Sequence, residues 1–539
     1  MRSRPGLGIR MRAAAMAGTL VLAGCSGGAG AGHDGGNADP GTGRVPDGMV
    51  GQQAEPGQPV GGGTLTFAAY AEPTSLDPTE TIAHGTSGGA ALAAVYDVLV
   101  RYDHDAGEYV PWLAESLESA DGGRQWTVEL PDDVEFSDGT PLDAEAVVGS
   151  IEYYLSAGGS DAPLLERTID TMTATAGTTV VFELSGPWPG FPTMLAQGAG
   201  MIVAPAARDG AEFEPIGAGP FTLENYAPSE ELVLAANDDY RLGRPPLDRV
   251  RFTWLPGPEA KRDALESGAV DVAYLREPSH VRRQLDSGAT GFLTTLSVGN
   301  SITINQRDGR PGADRRVRRA LALALRPEMV SQRVFEGAAV PSKRLFPETS
   351  EWYAEGVEPL GTDVERARKL VDQARADGFD GSVELVNGSD PSARAESMAI
   401  KAMLEQVGFT VEIFAARSIS EQIQKIYATK DFDLASSALS VGDADPYPRL
   451  TAGLHSESPV NAGGYANPEM DELLGRLRRA GTERESRAVL TGIERLWQAD
   501  VPILTLSPMR TLIAWNPDVY GAVPTGESIM LFHDTWLAG

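Results

Sequence analysis

The sequence predicts an α/β protein of two or three domains built on open sheets, and three observations carry that expectation. The chain has 539 residues, which is too long for one ordinary hydrophobic core. Short alternating apolar runs are interleaved with stretches of helical periodicity along most of its length. No short internal repeat and no second transmembrane run interrupts that texture.

The elements follow in order. Thr64 to Phe67 alternates as a strand, and Ala90 to Val100 reads as helical or buried. Trp126 to Leu130 alternates again, with Trp126, Val128 and Leu130 on one face. In the stretch VEFSDGTPLDAEAVV, Val134 to Val148, a strand ends, the chain turns at Asp138 to Pro141, and Asp143 can cap a helix. That helix would place Val147, Val148, Ile151, Tyr154 and Leu155 at helical spacing. Further strands are expected at Thr179 to Leu184, Glu231 to Ala235, Val250 to Leu255, Val270 to Tyr274, Ser301 to Asn305, Val411 to Phe414 and Phe432 to Ala435. The helices between them are expected at Ala260 to Ser267, Arg315 to Leu325, Val364 to Ala376, Arg394 to Val407, Pro468 to Ala480 and Glu483 to Gln498. Ligands of such open sheets collect where loops leave the strand ends.

Charge and the N-terminus narrow the setting. With 75 acidic against 45 basic side chains the formal charge is -30, which repels phosphodiester backbones and argues against a nucleic-acid partner. Arg2, Arg4, Arg10 and Arg12 precede the apolar run Ala13 to Leu22, too short to span a hydrocarbon core of roughly 30 Å. Residues 1–24 therefore read as an export signal. Leu22-Ala23-Gly24-Cys25 is similar to the lipobox of bacterial lipoproteins, and Cys25, the single cysteine, has no partner for an intramolecular disulfide. Acylation of Cys25 on the outer face of the cytoplasmic membrane is the expectation. Ser26 to Val60 is rich in Gly, Pro and small polar residues, so residues 25–60 are expected to form a lipidated flexible tether.

Catalytic signals are sparse. Gly85-Thr86-Ser87-Gly88-Gly89 matches G-x-S-x-G with His84 beside it, but a nucleophile elbow needs a preceding strand, and Asp77 to Thr81 is turn-like. The six histidines are scattered and no H-E-x-x-H or Walker sequence occurs. No cofactor, no metal and no enzymatic activity are expected.

A family resemblance gathers these pieces. Trp126 to Leu130 followed by Val134 to Val148 resembles the signature of the family 5 extracellular solute-binding proteins, the oligopeptide- and dipeptide-binding type that serve ABC importers. Gly62-Gly63-Thr64-Leu65, Ser75-Leu76-Asp77-Pro78, Val95 to Val100, Pro111 to Ser116, Ile216 to Phe221, Leu265 to Val272, Asp314 to Leu325, Asn467 to Asp471 and Pro502 to Leu504 continue it in order. The resemblance implies a two-lobed periplasmic-binding-protein-like fold (type II, cluster C) with an extra domain inserted in the first lobe. Lobe one would comprise 61–99, 217–305 and 504–539, the inserted domain 100–216 and the second lobe 306–503. Crossings near Asn305 and Ile503 would act as hinges. The Val134 to Val148 motif would fall in the inserted domain, with Trp126 and Phe136 in its core.

It further implies a monomer that captures a peptide or similar small solute and delivers it to an ABC permease in the membrane. Ligand-facing residues are expected in the loop Ile82 to Ser87, with Ile82, His84, Gly85 and Ser87, and at Val441 to Pro446. In peptide-binding members that second segment carries an aspartate for the ligand's amino terminus. Here the register is one residue short, so either Asp443 or Asp445 could take the role; Asp443 is favoured, since Asp445 before Pro446 can simply initiate a turn. Asn305, at the expected crossing, joins the ligand-binding set. Two other readings stay open: an exported hydrolase with Ser87 as nucleophile, and a solute sensor that kept the fold.

Overall fold

The computed structural model describes residues 45–538 apart from 209 and 211. Its centre is an eleven-stranded sheet in which ten strands run in the order Thr410–Ala416, Ser382–Gly388, Leu434–Ser437, Thr290–Ile304, Ile503–Trp515, Val272–Leu275, Thr64–Ala68, Arg249–Thr253, Glu231–Ala236 and Phe221–Ala227, and the eleventh, Gly48–Val50, pairs off this path with Thr290–Ile304. Thr64–Ala68 pairs in parallel with both Arg249–Thr253 and Val272–Leu275, and Ser382–Gly388 pairs in parallel with both of its neighbours. Parallel strands are covered on both faces, so they read as near-continuous apolar runs. Val272–Leu275 is buried throughout. Helix Gly89–Tyr96 is also buried at every residue, which is why its run of alanines and aliphatics shows no polar face.

Two strands hold the halves of this sheet together. Thr290–Ile304 and Ile503–Trp515, 15 and 13 residues long, pair antiparallel along nearly their whole length. Their register shifts between Leu296 and Ser301. The end near Thr290 belongs to the half containing Val272–Leu275, and the end near Ile304 pairs with Leu434–Ser437. The lobes are thus joined at Ser297–Asn300 and Ser507–Met509, several residues inside the crossings expected near Asn305 and Ile503. Val298 sits there at φ 53°, a costly conformation for a β-branched residue. A Cβ on Gly299 would lie 2.1 Å from Met509 Cβ, so only glycine lets the two backbones pass. This break in alternation explains why only the last third of the strand was evident as Ser301 to Asn305.

The inserted region carries its own antiparallel sheet of four strands, in the order Ser116–Ala120, Gln125–Glu129, Thr179–Leu184 and Ile169–Ala176. The motif Val134 to Val148 docks a helix on it. Leu142 N–H donates to Val134 O, Phe136 N–H to Thr140 O, Gly139 turns the chain at φ 81°, and the Asp143 carboxylate caps Ala146 N–H at 2.9 Å. Helix Ala144–Ser156 follows, with Trp126, Phe136, Val147 and Ile151 in one core. That core continues into the second lobe, where Trp188 meets Tyr447 at 5.2 Å between ring centroids.

The N-terminal segment departs from the expected tether. Gly48–Val50 forms a strand against Gly291–Leu293. Asp47 accepts hydrogen bonds from Thr295 N–H and Thr295 Oγ1, both at 2.6 Å, and Val45 O accepts from Arg510. The stretch lacks the aromatic residues of a core, yet backbone pairing on an open sheet edge needs none. Cys25 and the export signal lie outside the described residues.

Candidate functional site

Between the lobes, at the carboxyl ends of the parallel strands, two adjoining cavities of about 360 and 720 Å³ share the wall Arg276, Glu277, Asp390 and Ser392. Both lie in the size range of small-molecule sites. The smaller one is bounded by the hinge at Gly299, Asn300 and Ser507–Met509 and by Asn387, Glu396 and Ser436 of the second lobe. Each group arrives there for a local reason. Arg276 and Glu277 form the turn between strand Val272–Leu275 and helix Pro278–Asp286. Asp390 caps Ala393 N–H at 3.0 Å and starts helix Pro391–Gln406, with Pro391 in its first turn. That helix carries Glu396, whose carboxylate accepts from Asn387 Nδ2 at 3.0 Å and Ser436 Oγ at 3.1 Å. Burial pushes the Glu396 carboxyl upward against those hydrogen bonds. Burial also raises Glu277, while Arg276 pulls it back.

Elsewhere along the cleft the lobes touch directly. Arg449, on helix Tyr447–Leu454 of the second lobe, reaches across to the His84 ring and lies 3.7 Å from Glu527. Burial, then Arg449, drives His84 well below the ordinary histidine range, so it meets the guanidinium as a neutral acceptor. Glu527 and Ser528 both have positive φ, at 56° and 57°. This turn presents the Glu527 carboxylate to the partner lobe, and burial raises its pKa while Arg449 lowers it.

The two aspartates behave differently. Asp443 is committed to its own lobe: its carboxylate accepts from Ser350 Oγ at 2.7 Å and Glu351 N–H at 3.1 Å, and its carbonyl accepts from Trp352 Nε1. In Asp445, Oδ1 accepts from Tyr447 N–H at 3.0 Å, and the buried Oδ2 lies beside Trp188 Nε1, too poorly aligned for a full hydrogen bond but near enough for the indole to lower the carboxyl's pKa. Burial pushes both carboxyls up to about 7.

The other expected residues scatter. His84 reaches the lobe contact just described. Ile82 is exposed and lines neither of the two cavities. Gly85 does not leave room for a ligand: a Cβ there would lie 1.9 Å from Ser528 O, so its lack of a side chain serves packing of the loop on Glu527–Ser528. Ser87 has only Thr86 Oγ1 beside its hydroxyl, at 3.5 Å, and His84 faces Arg449 instead, which leaves the serine without a base. Asn305 is fully buried away from the cleft, its Nδ2 donating to Lys430 O and Phe432 O at 3.0 and 2.8 Å. It fastens the end of the hinge strand. Among the described residues no cluster of three or more His, Cys, Asp or Glu is placed to hold a metal ion.

Sequence reasoning missed Arg276, Asn300, Asn387 and Glu396. Position after a buried strand could have exposed Arg276; Glu396 sits within a helix and carries no such signal.

Comparison with known proteins agrees with this architecture. The profile described as bacterial extracellular solute-binding proteins, family 5 middle, matches residues 108–459. The probable D,D-dipeptide-binding periplasmic protein DdpA of Escherichia coli is 25% identical over 485 residues, 85% of this chain and 91% of the relative. Among solved structures, the DppA protein of Helicobacter pylori in complex with the peptide STSA superposes with a TM-score of 0.76 at 22% identity, covering 89% of this chain and 99% of that one. NikA from Brucella suis in complex with Fe(III)-EDTA gives 0.73 at 22% identity, covering 88% and 100%. The hinged lobes thus have the fold of these proteins, and with the profile spanning more than half of its length the chain belongs to the bacterial extracellular solute-binding proteins, family 5, which bind solutes rather than transform them.

Proposed function

We propose that this protein captures a small peptide or a similar small solute between its closing lobes and passes it to an ABC permease, held to the outer face of the cytoplasmic membrane by lipid on Cys25. The observation that carries the reading is the pair of adjoining cavities walled by both lobes and floored by the strands on which those lobes turn. A solute there contacts both halves only when they are together, so its binding favours the closed form by the difference in contact energy. The names of the relatives, which include dipeptide- and nickel-binding proteins of Escherichia coli, support small solutes of this kind. Of the two aspartates, Asp445 is the proposed partner for a ligand ammonium, because its Oδ2 has only the poorly aligned Trp188 indole beside it while the Asp443 carboxylate is engaged with Ser350 and Glu351.

Native mass spectrometry of protein purified without refolding tests capture: a monomer carrying a small-molecule mass is expected, and small-angle scattering should report contraction when that solute is restored to stripped protein. One unchanging shape, or a solute returned cleaved, would overturn the reading. For the anchor, Cys25→Ser should release the protein from the membrane fraction.

A further inference from the structure

The charged groups of the interlobe wall are unevenly satisfied, and one of them is conspicuously unused. The Arg276 side chain makes no hydrogen bond and no ion pair within 4 Å among the described residues; its guanidinium lies 4.9 Å from the Tyr70 ring and acts on Glu277 and Lys261 only through space. It lines both cavities. The aromatic face holds the fork in place without consuming any of its five N–H donors. Lys261 lies over the same ring at 4.8 Å and donates to Tyr70 O at 2.8 Å. Burial, then the neighbouring Arg276, pushes Lys261 down to about 8, so Arg276 is the permanent cation of the pair.

We propose that Arg276 is the anchor for a carboxylate of the captured solute, gripped through the guanidinium fork where the two cavities meet. This rests on the capture reading above. A carboxylate matches the fork with two parallel hydrogen bonds. Glu277, Asp390 and Glu396 share the walls around it, and they oppose a second negative charge on the ligand, which favours a monoanionic carboxylate over a phosphate dianion. The wall also explains why a guanidinium stands so near carboxylates without pairing: Asp390 caps a helix and Glu396 is engaged with Asn387 and Ser436, leaving the fork to an incoming group.

Libraries of di- and tripeptides with free C-termini, and the same libraries as C-terminal amides, test this by native mass spectrometry and titration calorimetry on wild type, Arg276→Gln and Arg276→Lys. Since the Arg276 side chain hydrogen-bonds nothing among the described residues, the variants should fold, which circular dichroism checks. The expected result is retention of free acids by wild type, at least roughly 30-fold weaker binding of the matching amides, and a similar loss for acids on Arg276→Gln. Arg276→Lys should recover part of it, because the charge remains while the fork does not. Equal binding of acids and amides by wild type, or of acids by wild type and Arg276→Gln, overturns the carboxylate anchor and leaves capture standing. If neither library binds and no small molecule accompanies the purified protein, the capture reading falls and takes the anchor with it.

Discussion

The two places where the lobes meet differ in what they leave undone. At His84, Arg449 and Glu527 the protein supplies both sides of the contact itself: a cation from one lobe, a carboxylate and a neutral imidazole from the other. At Arg276 it supplies one side only and leaves space. The first arrangement stabilises closure without any solute; the second makes closure worth more when a solute is present. A binding protein needs the first to be weak, since closure that is complete in the empty state leaves the ligand nothing to shift.

Changes on either side separate these contributions. The largest effect is expected at the hinge that both share. Gly299→Val would drive a side chain into the Met509 backbone, 2.2 Å from its nitrogen, and should cost about 4 kcal/mol, read as a fall in the urea midpoint, or prevent folding.

Asp445→Asn should act with opposite signs on stability and binding. Its folded carboxyl stands at about 7 against the ordinary 3.8, so the folded state binds the proton more tightly. Stability from this group is complete below pH 3.8 and is lost as pH rises through about 7. The amide removes that loss, offset in part by an unpaired buried N–H. A gain of about 2 kcal/mol at pH 8 and a loss of about 2 kcal/mol near pH 3.5, where only the unpaired N–H counts, is expected in thermal unfolding, together with weaker binding of amine-bearing solutes. An unchanged affinity would exclude Asp445 from the site.

The smallest effect is expected at the direct contact. Arg449→Met leaves Glu527 without its cation, but the pair is 3.7 Å apart and Arg449 is partly solvated. About 1 kcal/mol of closure should be lost, seen as a larger radius of gyration in ligand-free protein and roughly fivefold weaker solute binding.

What the sequence made legible follows from how far each signal reaches. Strand Thr179–Leu184 and helix Val364–Ala376 appear at the expected residues, because their burial repeats with the period of the element itself. The Asp143 cap was legible for the same reason: donor and acceptor are three residues apart. The cleft was not. Asn387, Glu396 and Ser436 lie on a strand, a helix and a second strand, and only the parallel pairing of Ser382–Gly388 with Leu434–Ser437 brings them together. Asn305 was misjudged because a polar residue ending a strand looks the same whether it faces a ligand or, as here, two carbonyls of a neighbouring loop. Gly85 was misjudged similarly: absence of a side chain signals close approach, without saying that what approaches is the turn at Ser528.

The short strand Gly48–Val50 changes where the protein is held. Had the first fixed point been Gly61, the chain from Cys25 could extend roughly 125 Å; with Asp47 fastened to Thr295 it extends roughly 75 Å at most. The fastening falls two residues from Ser297, where the lobes part, much as a book is gripped by its spine. With lipid on Cys25, as proposed, the first lobe carries the mooring close to the pivot, and the second can swing without dragging it.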